Sequence, residues 1–355
     1  MNTSTLHRLC YISRNYRGVN SSGNKAKTDN EVTLRQIGAT NLGLPTTYYD
    51  NKIITFFLDL VGILKTLFCI RKGDIVFLQY PVKKYFSFIC HVAHMYHAET
   101  WAVIHDLGSM RRRKLTIRKE IKRLNGADCI IASNEVMAEW LRNNGYTGRL
   151  GALGLFDYRS ASDIPSTSRP TPYKDAPTLV YASAIAMRKN SFLLEMMPQQ
   201  WGFHLDIYGN CENMPQLKET EYLHLHSFMD ADKFISDISG DFGLVWDGDS
   251  LESCTGSFGE YLKWNSPHKV SFYLRAGLPV IIWKDAALAS LIEKERAGLC
   301  ISSIKELNQL LQSVSPEQMA EMKTNARKIA RRLANGDYLR QALLTMESQE
   351  KGGQS

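Results

Sequence analysis

The sequence predicts an α/β protein built as two parallel-sheet domains in tandem. Three observations carry this reading. A chain of 355 residues with 44% hydrophobic content can bury two cores of ordinary size. Short apolar runs rich in β-branched and aromatic residues alternate with amphipathic stretches along most of its length. A segment rich in Ser, Thr, Pro and charge (157–177) has no apolar period, and the alternation restarts after it.

In the first half, strands are expected at Leu6–Ser13, Pro45–Asp50, Ile75–Tyr80, Thr100–Asp106 and Asp128–Ser133. Helical patterns lie between them near 24–38, 53–70, 84–97, 111–124 and 134–144. Strands separated by crossover helices make a parallel sheet. The second half repeats the rhythm, with strands at Thr178–Ser183, His204–Tyr208, Leu223–Phe228, Phe242–Trp246, Leu278–Trp283 and Gly298–Ile301. The expected organisation is a first domain over 1–156, a linker over 157–177 and a second domain over 178–325. Polar helices over 326–350 are expected to return to the first domain.

Composition narrows the function classes. The longest apolar stretch, Ile53–Ile70, is interrupted by Asp59 and Lys65 and does not read as a membrane span. The apolar run Leu9–Ile12 is too short for a signal core, so a cytoplasmic protein is expected. The seven cysteines contain no C-x-x-C pair, as for isolated thiols in a reducing compartment. The net charge of +7 is concentrated in Arg111–Lys114 and its continuation to Arg123, a basic face whose competing reading is simple solvation. No nucleic-acid-binding motif accompanies it.

Ligands of open parallel sheets collect at the carboxyl ends of the strands. The segment Ser257–Val280 reads as a loop followed by a helix, with Ser266 as N-cap, Pro267 as the first helical residue and Gly277 as the stop. His268 and Lys269 then fall in the first turn, where the macrodipole disfavours cations. A broken local rule there points to a bound anion such as a diphosphate, against the plainer reading of an exposed lysine that tolerates a small cost.

The segment WDGDS at 246–250 followed by GEYLKWNSPHKVSFYLRAGLPVI at 259–281 resembles the C-terminal signature of bacterial galactofuranosyltransferase-like enzymes, a GT-B group similar to the streptococcal adhesin glucosyltransferases. RNYRGVNSSGNKAKTDN at 14–30, IHDLGSMRRR at 104–113, the Tyr181 to Leu193 segment and DIYGN at 206–210 agree with it. The resemblance implies two Rossmann-like domains facing across a cleft, with a UDP-sugar donor in the second, an acceptor in the first and no obligatory metal or other cofactor. It places Asn265, Pro267, His268, Lys269 and Ser271 at the diphosphate and sugar, and Arg188, Lys189, Tyr208 and Gly209 at the nucleotide. Ser183 departs from the glycine common in such donor loops.

Asp247-Gly248-Asp249 has the D-x-D spacing that chelates a divalent cation in a different glycosyltransferase fold. Beside a basic helix start these acids, Asp249 included, read instead as loop ligands for donor hydroxyls or backbone. The loop at 21–27, with Ser22, Gly23 and Lys27, opens the first helix with small residues that permit close approach to an anion or a sugar hydroxyl. An inverting transferase needs a base for the acceptor hydroxyl. Asp106 at the end of the fourth strand is the first candidate, His105 the second and Glu260 the third, with a helix cap as the competing role of Asp106. His91, His94 and His97 step by three residues, which is not the i,i+4 spacing of a zinc helix.

The expectation is therefore a GT-B glycosyltransferase using UDP-galactofuranose, or UDP-glucose as second choice. Its acceptor would be a glycan or lipid-linked glycan of the cell surface. The rival is a transferase-like scaffold or anion-binding partner subunit. A lipid-linked acceptor would bring the apolar 53–70 helix and the basic 111–123 helix to the inner membrane face. Donor sugar, acceptor, linkage and oligomeric state, a homo-oligomer included, stay open at this level.

Overall fold

The computed structural model describes residues 7–17, 22–81, 85–111, 115–164 and 176–352. The chain divides into two compact units, one of residues 1–153 with 336–355 and one of residues 154–335.

The first unit runs β1 (Leu9–Tyr11), α1 (Ser22–Gln36), β2 (Thr40–Asn41), α2 (Lys52–Cys69), β3 (Ile75–Tyr80), α3 (Phe86–Met95), β4 (Glu99–Ile104), α4 (Gly108–Arg111), α5 (Ile117–Leu124), β5 (Cys129–Ala132), α6 (Glu135–Asn143) and β6 (Arg149–Ala152). The second runs β7 (Thr178–Ala182), α7 (Met187–Asn190), α8 (Phe192–Met196), β8 (His204–Tyr208), β9 (Leu223–His226), α9 (Ala231–Asp237), β10 (Phe242–Val245), α10 (Gly256–Gly259), α11 (His268–Arg275), β11 (Val280–Trp283), α12 (Ala289–Lys294), β12 (Gly298–Ile301), α13 (Leu307–Ser313) and α14 (Pro316–Asn335). The last helix, α15 (Asp337–Gly352), belongs to the first unit.

Each unit holds one six-stranded parallel sheet. The orders are β2-β1-β3-β4-β5-β6 and β12-β11-β10-β7-β8-β9. Central strands such as β3 and β10 are apolar along their length because helices cover both faces. In both sheets the order reverses beside the first strand, between β1 and β3 and between β7 and β10. The crevice at the carboxyl ends of such a strand pair is the usual ligand position.

Several elements differ from expectation. Pro45–Asp50 is not a strand: β2 lies earlier, and only Asn15 and Thr47 form an isolated bridge. Side chains hold the segment instead. Asn15 Oδ1 accepts from Tyr49 N and Thr47 Oγ1, both at 2.8 Å, and Thr46 Oγ1 donates to Glu31 Oε2 at 3.0 Å. The edge strand β6, RLGA, was not foreseen because it is short and only half-buried. A Cβ on its Gly151 would lie 2.4 Å from Met346 Sδ, so the glycine makes room for α15.

The start of the expected 157–177 linker is packed structure of the second unit. Asp157 and Tyr158 are buried, and Arg275, itself buried, donates to Ser162 O at 2.7 Å and Asp163 Oδ1 at 2.6 Å. Its residues 165–175 lie outside the described residues. The expected closing helices divide at Gly336, which has φ of 77°. α14 packs on α11 in the second unit, and α15 on β6 and α1 in the first.

Glu31, on α1, joins the pieces around β1. Its carboxylate accepts from Tyr16, from Ser13 Oγ at 2.7 Å and from Thr46, and burial pushes its carboxyl above the ordinary value against the pull of those hydroxyls. A carboxyl whose folded value lies above its unfolded one binds more protons when folded, so its contribution is lost as pH rises through the folded value. Stability of the native chain is expected to fall with pH just above the ordinary carboxyl range, and this part of the slope should vanish in Glu31→Gln, as read from denaturant midpoints across pH.

Candidate active site in the second unit

At the β7/β10 reversal, Asp247 follows β10 and is 7% exposed. Its Oδ1 accepts from Lys269 Nζ at 2.9 Å and from Tyr181 OH at 3.2 Å, and its Oδ2 lies 3.7 Å from Lys189 Nζ. The Tyr181 hydroxyl also accepts from Asn190 Nδ2 at 2.5 Å and from Lys269 Nζ at 3.1 Å, and the lysine ammonium stands 4.2 Å from the Tyr181 ring centroid. Two cations from separate helices, α7 and α11, thus converge on one carboxylate at the end of the sheet.

Backbone geometry sets this convergence. Gly248 has φ of 129° and donates its N–H to Lys189 O at 2.7 Å, which ties the loop after β10 to α7. A Cβ on Gly259 would lie 2.5 Å from Asp247 O, so only glycine lets α10 close against that loop. Lys269 is 13% exposed, and burial pushes its ammonium down to about 8, with Asp247 pulling it back up and Lys189 pushing it further down.

The start of α11 differs in detail from expectation. Pro267 stands at the N-cap and no side chain caps the helix, while Ser266 donates its hydroxyl to Gly154 O at 2.9 Å. Proline cannot offer a side-chain acceptor, so α11 presents its first N–H groups without a cap. Asn265 Oδ1, just before it, is buried and has no hydrogen-bond partner among the described residues.

The other expected donor residues are placed as follows. Arg188 sits 5.1 Å from the Phe258 ring centroid, beside Lys189 at 6.0 Å from the same ring. Tyr208, at the end of β8, stacks on His226 with centroids 4.5 Å apart. Gly209 is explained by packing, since a Cβ there would meet Ser183 O at 2.3 Å. His268 lies against Tyr158, with ring centroids 5.0 Å apart. Ser271, on α11, is 1% exposed. Asp249 turns outward to Thr255 while Asp247 turns inward to the lysines, so the two acids of D-x-D diverge. Glu260 begins a 3-10 turn and is exposed.

Sequence reasoning missed Tyr181, whose buried hydroxyl organises the cluster, and Tyr158. Tyr158 continues an aromatic run through Phe272 and Phe234 to Tyr208, with centroid separations of 5.2, 4.2 and 5.8 Å. An apolar β7 hides the one signal Tyr181 could give, and Tyr158 lies in a stretch that reads as linker.

In the first unit, a cavity of about 40 Å³ opens at the β1/β3 reversal, with Ser13, Arg14, Asp59 and Gln79 among its lining residues. His105 Nε2 is 3.0 Å from Gln79 Oε1, and Gln79 Nε2 donates to Lys27 O at 3.0 Å. Lys27 is therefore placed in this network by its backbone carbonyl, with its side chain 9% exposed. Asp106 is ion-paired with Arg111. Gly23 is exposed in α1; the side chain of Ser22, the loop residues before it and the basic residues 112–114 lie outside the described residues.

Two parallel-sheet units, each with its crevice at a strand-order reversal, define a GT-B fold. Anabaena Alr3699/HepE, solved in complex with UDP and glucose, shares it with a TM-score of 0.59 at 13% identity over 96% of this chain and 99% of that one. Residues 9–155 match the N-terminal domain, and 179–346 the C-terminal domain, described as Glucosyltransferase 3-like. The chain belongs to this family of glycosyltransferases. It is 31% identical to the beta-1,6-galactofuranosyltransferase WbbI of Escherichia coli (strain K12) over 284 residues, 79% of this chain and 81% of that protein. To Glucosyltransferase 3 of Streptococcus gordonii it is 23% identical over 283 residues, 77% of this chain and 78% of that one. The resemblance read from residues 246–281 therefore stands.

Asp247→Asn removes the carboxylate that both Lys269 and Lys189 approach. It should lower stability by about 2 kcal/mol near pH 7, where the Lys269 ammonium is charged. A lysine with a folded value below its unfolded one costs stability while protonated, and this cost is relieved as pH rises from the folded value toward the unfolded one. Without Asp247 the Lys269 value falls further, so the deficit of the variant should shrink as pH rises toward about 8 and be largely gone above it, as followed by melting temperature across pH.

Proposed function

We propose that this transferase moves a sugar from a UDP-sugar, galactofuranose first and glucose second, to a hydroxyl of a cell-surface glycan, with inversion at the anomeric carbon. The observation that carries the reading is the pair of ammoniums, Lys189 and Lys269, held on Asp247 beside the uncapped start of α11. An uncapped helix start with adjacent lysines suits a diphosphate. The names of WbbI and of the UDP-bound HepE support the choice of sugar class and nucleotide.

In the proposed reaction the acceptor oxygen attacks the anomeric carbon, the bond to the diphosphate breaks with its electron pair on UDP, and the hydroxyl proton passes to a base. Lys269, Lys189 and the α11 N–H groups balance the charge that grows on the leaving diphosphate, the task a divalent cation has elsewhere. We therefore propose that no metal is required. Asn265 Oδ1, buried and open to a donor, is assigned to a donor hydroxyl. Asp106 and then His105 are the proposed bases; for Asp106 to accept a proton the Arg111 ion pair must open, which Arg111→Gln would test as a change in the pH profile of kcat.

UDP is expected to raise the melting temperature, and GDP is not. The shift should survive EDTA, disappear in Lys269→Ala and weaken as pH rises past about 8, where the ammonium loses its proton. Transfer by Lys269→Ala should drop about 100-fold with the fold retained. Absence of a shift with every nucleotide would favour a scaffold and overturn the reading.

A further inference from the structure

Helix α2 is apolar on its outward as well as its inward side. Thr55, Gly62, Ile63 and Thr66 face inward, and the two threonine hydroxyls are spent on Asn51 O and Gly62 O at 2.8 and 2.9 Å. The opposite face carries Ile53, Phe57, Val61, Leu64 and Phe68 at i, i+4, i+8, i+11 and i+15, one continuous stripe. Their exposures are 67%, 57%, 50%, 46% and 86%. A helix of a soluble surface places its large apolar residues on the other side. The stripe continues on neighbouring α3, where Phe88 and Met95 are 46% and 67% exposed. No described helix is long and apolar enough to cross a membrane.

Charge decides what covers this face. α5 packs beside α3. Its Arg118, Lys119 and Lys122 are exposed, whereas its one acid, Glu120, is buried and accepts from Tyr80 OH, Gly108 N and Ser109 N at 2.7–2.8 Å. Lys52 adds an exposed cation at the start of α2. The exposed charge on α5 is therefore positive, while the α2 end carries the exposed Asp50 beside Lys52 and a half-buried Asp59. A second copy meeting this face in a two-fold pairing would bring the α5 cations of both chains toward one another. An anionic lipid surface replaces that repulsion with attraction.

We propose that the α2–α3–α5 layer of the first unit is a membrane-docking face, with the α2 stripe lying in the acyl boundary of an anionic bilayer and the α5 cations on its headgroups. An 18-residue helix extends about 27 Å, which suits a helix lying in the plane of the interface. This inference stands on α2, α3 and α5 and does not rest on the donor site. Docking of this kind would concentrate the enzyme where acceptors carried on lipids are held.

Flotation of the full chain with vesicles tests it. Binding is expected to vesicles containing phosphatidylglycerol, to fall with added salt and to be weak with phosphatidylcholine alone. Phe57→Gln with Phe68→Gln, and separately Arg118→Glu with Lys122→Glu, should each reduce binding about tenfold or more. All four positions are exposed, so both variants should keep the native melting temperature and its rise with UDP. Overturning results are failure to float with anionic vesicles, or binding unchanged in either double variant. A dimer seen by sedimentation velocity that dissociates in the Phe variant, without vesicle binding by the native chain, would assign the face to a second copy.

Discussion

The second unit depends on a single buried carboxylate. Asp247 sits where β10 ends beside β7, and two ammoniums, one tyrosyl hydroxyl and a strained glycine are organised around it. Without an anion at that point, Lys189 and Lys269 would face each other across a poorly solvated gap. With it, both are held at the sheet edge and Lys269 is kept near the pH at which it can exchange a proton. The carboxylate thus makes a concentrated positive site compatible with folding, a condition for binding a dianionic group without a preformed metal cage.

The first unit solves a related problem with Glu31. There the carboxyl is surrounded by hydroxyls from the end of β1, from Tyr16 and from the segment after β2, so burial acts against it while those hydroxyls and the Arg14 cation compensate. Both carboxyls lie near a strand-order reversal, where backbone strands diverge and leave polar ends that helices do not cover. One reversal gathers two lysines on a carboxylate, and the other combines Gln79 and His105 with the charged Arg14 and Asp59.

The packing of α2 follows from the same economy. Its inward face is lined by small and hydroxyl-bearing residues, and a Cβ on Gly62 would touch Leu44 at ordinary contact distance, so the helix lies close to the loop beneath it. Ile63 fills the core beside them, and most of the other large side chains stand outward.

Much of the architecture was legible in the sequence. The largely apolar β3 and the short apolar-containing β8 and β12 lie where the sequence places them, at Ile75–Tyr80, His204–Tyr208 and Gly298–Ile301. The irregular block at 246–281 carried the family resemblance and pointed to the loop and helix start that form the candidate site. Strand β2, strand β6 and the ordered start of the expected linker were not legible, because two polar residues, a half-buried edge and a Ser-rich stretch have no periodicity of their own. What sequence determined was which segments must be buried and which residue types stand at the helix start. Only the tertiary structure decided that Lys269 answers to Asp247, that Gly209 approaches Ser183 O closely, and that an apolar stripe of α2 looks outward. Each of those depends on distances between segments far apart in the chain, which local pattern does not encode.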